Sequence, residues 1–247
     1  MDGFLDGSVP EEVYRDVMGE KGPSLVRAQQ YFTRVVQLVD ELGGSAVGRL
    51  FLTHLDRIGP RTAGILICPS AATQPRSDAL HGMIPVKPAD AFAKGTALPR
   101  QGPNRGTGLG TSVRITFDPA ISVSDCGFLG GPDAILFHEL AHAMRALAGT
   151  MLHKRMNRYD LFEEFVAITL TNLLLSERGQ PLRDGHDCKA QQMSLADFCA
   201  IYQRPLKQMK DDAVNLSLFT QLGQLPALRV AWNPFGCRSH FASRGLG

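Results

Sequence analysis

Along this chain the apolar positions mostly recur at the three- and four-residue spacing of helices, with two short runs of strand character between them. Leu25, Tyr31, Phe32, Val35, Leu38 and Leu42 make a stripe that predicts a helix over 25–42, capped by Ser24 and stopped by Gly43-Gly44. Ser45 opens a shorter helix carrying Val47, Leu50, Phe51, Leu55 and Ile58, ended by Gly59-Pro60. The run from Ala63 to Cys68, between two prolines, reads as a buried strand, and Thr111 to Phe117 alternates like a half-exposed one. Between them, residues 69–110 are punctuated by Pro and Gly and predict a long loop, either a wall of the cleft or a surface excursion.

Two segments are apolar nearly all round. Residues 134–148 are opened by Gly131-Pro132-Asp133 and closed by Gly149, so they predict a helix buried in a domain. Tyr159 to Glu177, ended by Gly179, predicts a second. Ser194-Leu195-Ala196-Asp197 resembles a capping box and starts a helix through Tyr202; 205–222 reads as one more helix, and 226–247 as an irregular tail. Runs of helices around a few strands imply an α+β fold: a small, mostly antiparallel sheet packed on helices, with a helical N-terminal part and a helical C-terminal extension. The expected divisions are an N-terminal helical segment (1–44), a catalytic domain (45–225) and the tail (226–247).

Composition changes this picture little. An apolar share of 44% and a charged share of 20% suit a soluble globular protein, and a net charge of +2 gives no reason to expect a nucleic-acid or membrane partner. Met1 to Glu12 lack the basic and apolar regions of a standard secretory signal. The five cysteines are scattered without a CxxC pair, which predicts free thiols and a reducing, cytoplasmic setting in the producing cell.

The chemistry lies in the first all-round apolar helix, which contains His138-Glu139-Leu140-Ala141-His142. Residues four apart share a helix face, so both imidazoles reach one Zn²⁺ at about 2.0–2.1 Å. Glu139 lies about 100° round the helix, where it can serve a bound water as general base without displacing a ligand. Two imidazoles and a carboxylate on such a helix are costly unless paired or metal-bound. The longer pattern HExxHxxGxxH is excluded, because Arg145 and Ala148 stand where its Gly and third His belong. A third ligand is needed, with one position left open. Glu163 and Glu164 interrupt the first turns of the second helix, and either would complete a His-His-Glu site of gluzincin type.

Glu164-Phe165-Val166-Ala167, following the HExxH helix, resembles the E-F-x-A ligand helix of bacterial toxin and effector zinc peptidases. With the strand-like 106–119 stretch before the HExxH helix, the chain is similar to the NleD-like secreted effector peptidases over about residues 45–185. That resemblance implies a compact zincin-like catalytic domain with zinc on His138, His142 and Glu164, Glu163 remaining the alternative. It also implies a protein substrate, laid as an extended strand beside the 111–117 strand, and delivery into a target cell as an effector or toxin. An ordinary interior role for that strand stands beside this reading.

Tyr159 and His186 are candidate donors to the developing oxyanion. His54 and His81 have no motif partner, and the basic run 153–158 suits a solvated loop. The expected function is therefore zinc-dependent endopeptidase, acting as a monomer, with Glu139 as base. The rivals are a zinc hydrolase of a non-peptide amide, such as cell-wall material, and a non-catalytic binding protein carrying the motif by chance.

Overall fold

The computed structural model describes residues 25–58, 64–69, 83–85, 105–106, 108, 110, 113–120, 130–152, 154–185 and 193–237. Ser24, Gly59-Pro60, His81, His153, His186 and most of the 69–110 loop lie outside them.

Helix α1 (Leu25–Gly43) buries Val35, Leu38 and Leu42, three positions of the predicted stripe. Ser45 caps α2 (Ala46–Arg57), its hydroxyl accepting from the Gly48 N–H. The strands are β1 (Ile65–Pro69), β2 (Met83–Pro85) and β3 (Val113–Phe117), ordered β1-β3-β2. β1 runs parallel to β3 with Ile65 opposite Val113, whereas β2 is antiparallel to it with Met83 opposite Ile115. Pro69 and Pro85 end the two outer strands, where a missing N–H leaves no gap in an interior ladder. Val113, Ile115 and Phe117 alternate into the core, on the side where α3 (Pro132–Leu147) packs.

The predicted second apolar helix begins later than its pattern suggested. Arg155–Met156 (β4) and Asp160–Leu161 (β5) form a small antiparallel hairpin, and α4 runs only from Phe162 to Glu177. Arg158 and Asp160 adopt φ values of 70° and 57° in that hairpin, so part of the basic run is ordered structure. Gly149 and Gly179 take left-handed φ values of 64° immediately after α3 and α4, the conformation that stops a helix at no steric cost to glycine.

Helices α5 (Leu195–Ile201), α6 (Gln203–Lys210) and α7 (Leu216–Gly223) follow. Ser194 caps α5 as expected, accepting from the Asp197 N–H. The helix expected over 205–222 is two helices, because Asp212 accepts from the Val214 N–H and turns the chain between them. A 3₁₀ turn at Pro234–Gly236 closes the described chain. Two of the three strand pairings among the described residues are antiparallel, and the whole is an α+β arrangement of small sheets on helices. None of the described helices is long and apolar enough to cross a membrane.

One expectation is extended and one is corrected. Residues 226–237 are packed into the body: Val230, Trp232 and Phe235 are buried, and Arg229 bonds Glu177, whose carboxylate also accepts from the N–H groups of Ala46 and Val47 at the start of α2. Cys199 and Cys237, read as free thiols, are joined by a disulfide across 38 residues. A separation of that size hides proximity from the sequence, and the thiol argument for a reducing compartment does not hold for this pair.

By loop length the disulfide contributes up to about 4 kcal/mol. Cys237→Ser is expected to lower Tm in oxidising buffer and to leave Tm unchanged by dithiothreitol, whereas the parent chain loses Tm on reduction. Equal melting of oxidised and reduced parent protein would remove the disulfide from the stability of the tail.

Candidate metal centre

Helices α3 and α4 form the largest helix–helix contact among the described residues, and they lie antiparallel. Asp133 in the first turn of α3 pairs with Arg178 just past α4, while Arg145 near the end of α3 pairs with Glu163 in the first turn of α4. Between those two pairs the remaining polar side chains of the contact meet. All of α3 is buried except Pro132, Ile135 and Glu139, and all of α4 from Phe162 to Leu175 except Glu164. The two half-buried carboxylates therefore mark the accessible side of an otherwise closed helix pair.

His138 Nε2 lies 3.3 Å from Glu164 Oε2, His142 Nε2 lies 3.2 Å from Glu164 Oε1, and the two imidazole nitrogens are 3.3 Å apart. The i, i+4 spacing places both rings on one face, at 85° to each other. Donors arranged tetrahedrally round one ion at 2.0–2.1 Å stand about 3.3–3.4 Å apart, which is the separation found here. Two nitrogens 3.3 Å apart cannot both present an N–H to each other, whereas a cation among the three donors satisfies all of them at once. His138, His142 and Glu164 thus fit a divalent metal.

The electrostatics agree. Burial is the main force lowering His138 to about 4, and the charge on His142 adds to it against the pull of Glu164. Burial also opposes charge on His142, but Glu164, Glu139 and Glu163 outweigh it and raise that ring to about 9. Glu164 is resisted by burial yet held well below the usual carboxylate range by hydrogen bonds from both imidazoles and by their charge. Without a metal the site thus favours a single positive charge on its imidazole pair, on the His142 side. Glu139 is raised to about 7, chiefly by burial.

Glu163, the alternative third ligand, faces the other way. Its oxygens accept from Arg145 Nε and Nη2, both at 3.1 Å, and from the Leu152 N–H at 2.5 Å. Tyr159 is fully buried among aromatic rings, edge-on to Phe165 at 5.0 Å and to Tyr202 at 5.4 Å, and burial pushes its phenol far up. His186 lies outside the described residues. His54 is held in a buried polar cluster, Nε2 to Asn215 Oδ1 at 2.8 Å.

One cation went unnoticed in the sequence. Arg183 is 5% exposed, its N–H and carbonyl are both bonded by the Asn172 side chain, and its charge bears on His138 and Glu139. It lies in a polar, turn-like stretch that carries no motif, and the Asn172 clasp from α4 holds its backbone inward.

Comparison with known proteins gives one finding. The family model Peptidase M91, described as an effector protein, matches residues 24–168, more than half of the chain and including every residue of the metal cluster. No curated protein and no solved structure matches the chain.

The shifted groups set a pH dependence for the metal-free protein. The raised His142 contributes stability complete below its ordinary 6.5 and lost as pH rises through about 9, whereas the contribution of Glu139 is lost between its ordinary 4.5 and about 7. The lowered His138 gains stability between about 4 and 6.5 and offsets Glu139 there; below 4.5 the lowered Glu164 joins it, so stability falls as pH drops further. Chelator-treated protein is expected to melt highest between about pH 4.5 and 6.5. Zinc should abolish the alkaline decline by displacing the His142 proton; a metal-free Tm that stays level up to pH 9 would contradict the assigned proton.

Proposed function

The chain belongs to the Peptidase M91 family of effector proteins, and on that premise we propose that it is a zinc-dependent endopeptidase acting on a protein inside a cell that receives it. The observation that carries this reading is the convergence of His138, His142 and Glu164 at tetrahedral spacing beside Glu139. Zinc held by those three residues would supply a Lewis acid for the scissile carbonyl and lower the pKa of water towards about 7.

The chain's own part is proton handling and charge. Glu139 follows His138 directly, so it is carried round to the accessible side of α3 without joining the ligand set. Burial raises it to about 7, which suits a base that takes a proton from the attacking water and returns it to the leaving amine. We assign the positive charge facing the developing oxyanion to Arg183, whose charge already acts on Glu139. Tyr159 and His186 are the earlier candidates for that role; the aromatic packing of Tyr159 favours a structural part for it.

The substrate would lie as an extended strand, but not beside β3, which is flanked on both sides. Of the two outer described strands, β2 packs against α3, so its outer edge is the proposed place for the peptide. We take residues 45–225 as the catalytic unit, with 1–44 as a helical segment before it and 226–247 as a tail after it.

Purified protein is expected to contain zinc and to digest an unfolded protein mixture, with loss on chelation, recovery on adding zinc, and inhibition by a hydroxamate. Zinc retained without any digestion would favour a non-peptide substrate or a binding role. Glu139→Gln should keep zinc and lower kcat by roughly 10²–10⁴-fold. Persistence of most of the activity would take the base role from Glu139. Glu164→Ala should lose zinc affinity by more than Glu163→Ala does, measured by chelator competition. Arg183→Met should leave zinc content intact and reduce kcat by roughly 10²-fold, with KM little changed. An unaltered kcat would strike Arg183 from the site.

A further inference from the structure

Helices α3 and α4 meet through apolar surface, and apolar contact by itself does not choose between neighbouring rotations or registers of two helices. A metal site does choose, because Glu164 must present a carboxylate oxygen to the point that both imidazole nitrogens of the other helix face. Something directional has to seat the first turn of α4, and it lies one residue away. Arg145 stands seven residues after His138, two helical turns along and within about 20° of the same face. It is 3% exposed. Its Nε and Nη2 hold the two oxygens of Glu163 at 3.1 Å each, its Nη1 bonds Asp212, and Nη2 donates to the Thr150 carbonyl at 2.5 Å. The ring of Phe162 lies 5.6 Å from the guanidinium carbon. Asp212 is itself held by Asn215 Nδ2 at 2.8 Å, and Asn215 by His54 of α2.

Resting on the zinc reading above, we propose that Arg145 is a positioning residue of the metal centre. By clamping Glu163 to α3 it sets the rotation of the first turn of α4 and thereby holds the Glu164 carboxylate over His138 and His142. The two adjacent acids are divided, one given to the guanidinium and one to the metal. Asp212 completes the clamp from beyond the family-matched residues 24–168, so the turn between α6 and α7 supports the site and is not an appendage to it. The planar fork is essential, since only a guanidinium spans a carboxylate, a second acid and a backbone carbonyl in fixed directions.

The test measures zinc affinity by competition with a chromogenic chelator and the visible spectrum of the cobalt(II)-substituted protein, beside Tm of the metal-free protein. Arg145→Lys keeps the charge but not the fork. It is expected to fold, to bind zinc roughly 10–100-fold more weakly, and to show a changed cobalt spectrum at saturating cobalt. Because removal of one buried partner can prevent folding, the triple variant Arg145→Met, Glu163→Met, Asp212→Leu removes the charges together and is expected to stay folded with the same two defects. A merely structural role would move Tm and leave the spectrum of the saturated site alone. Parental zinc affinity and an unchanged spectrum in either folded variant would overturn the positioning role while leaving the zinc site standing. Parent protein that takes up no zinc would overturn both.

Discussion

The seating of the first turn of α4 against the middle of α3 is the constraint on which everything else in this protein rests. Both helices are buried almost completely, so their contact is strong but has little direction of its own. Three polar contacts supply the direction: Asp133 with Arg178 at one end, Glu163 with Arg145 at the other, and Glu164 with the two imidazoles between. Each is an ion pair or near-ion pair in a low-dielectric setting, where a partner left alone is far more costly than a partner satisfied. The antiparallel arrangement, the register and the metal donors are thus parts of one solution.

That arrangement places unlike electrostatic demands a few ångströms apart. On the accessible side, two carboxylates and two imidazoles hold a place suited to a cation, and the Arg183 charge bears on Glu139. On the closed side, Arg145 is saturated by Glu163 and Asp212. Adjacent residues of one turn, Glu163 and Glu164, therefore do different work because they point about 100° apart on the helix. The later part of the chain is drawn into the same structure. Asp212, Asn215 and Arg183 come from beyond the family-matched residues, while Glu177 and the Cys199–Cys237 disulfide bind residues 226–237 to the body.

The amphipathic stripes of α1 and α2, the Ser45 and Ser194 caps, and the glycine stops after α3 and α4 were legible, since each depends on residues within a turn or two. So were the HExxH pair and the family resemblance carried by HExxH and EEF-x-A. The β4–β5 hairpin was not, because Tyr159 and Leu161 continue the apolar pattern of α4 while backbone pairing takes Leu161 into a strand and leaves Tyr159 in the turn. β2 is three residues long, too short for any period to show. The split between α6 and α7 follows from Asp212 turning towards Arg145, a contact across 67 residues.

By itself, the sequence determined where most of the helices lie, that two imidazoles share one helix face with a carboxylate beside them, and which family the chain resembles. The first two follow from spacing along a helix of known period, which needs no partner, and the third from the motifs themselves. Only the tertiary structure decided which of two neighbouring acids faces the imidazoles, that β3 is interior, that Arg183 comes inward, and that Cys199 meets Cys237. Each of those depends on the relative rotation or approach of segments far apart in the chain, and that is set by packing and by buried charge pairs, not by any local pattern.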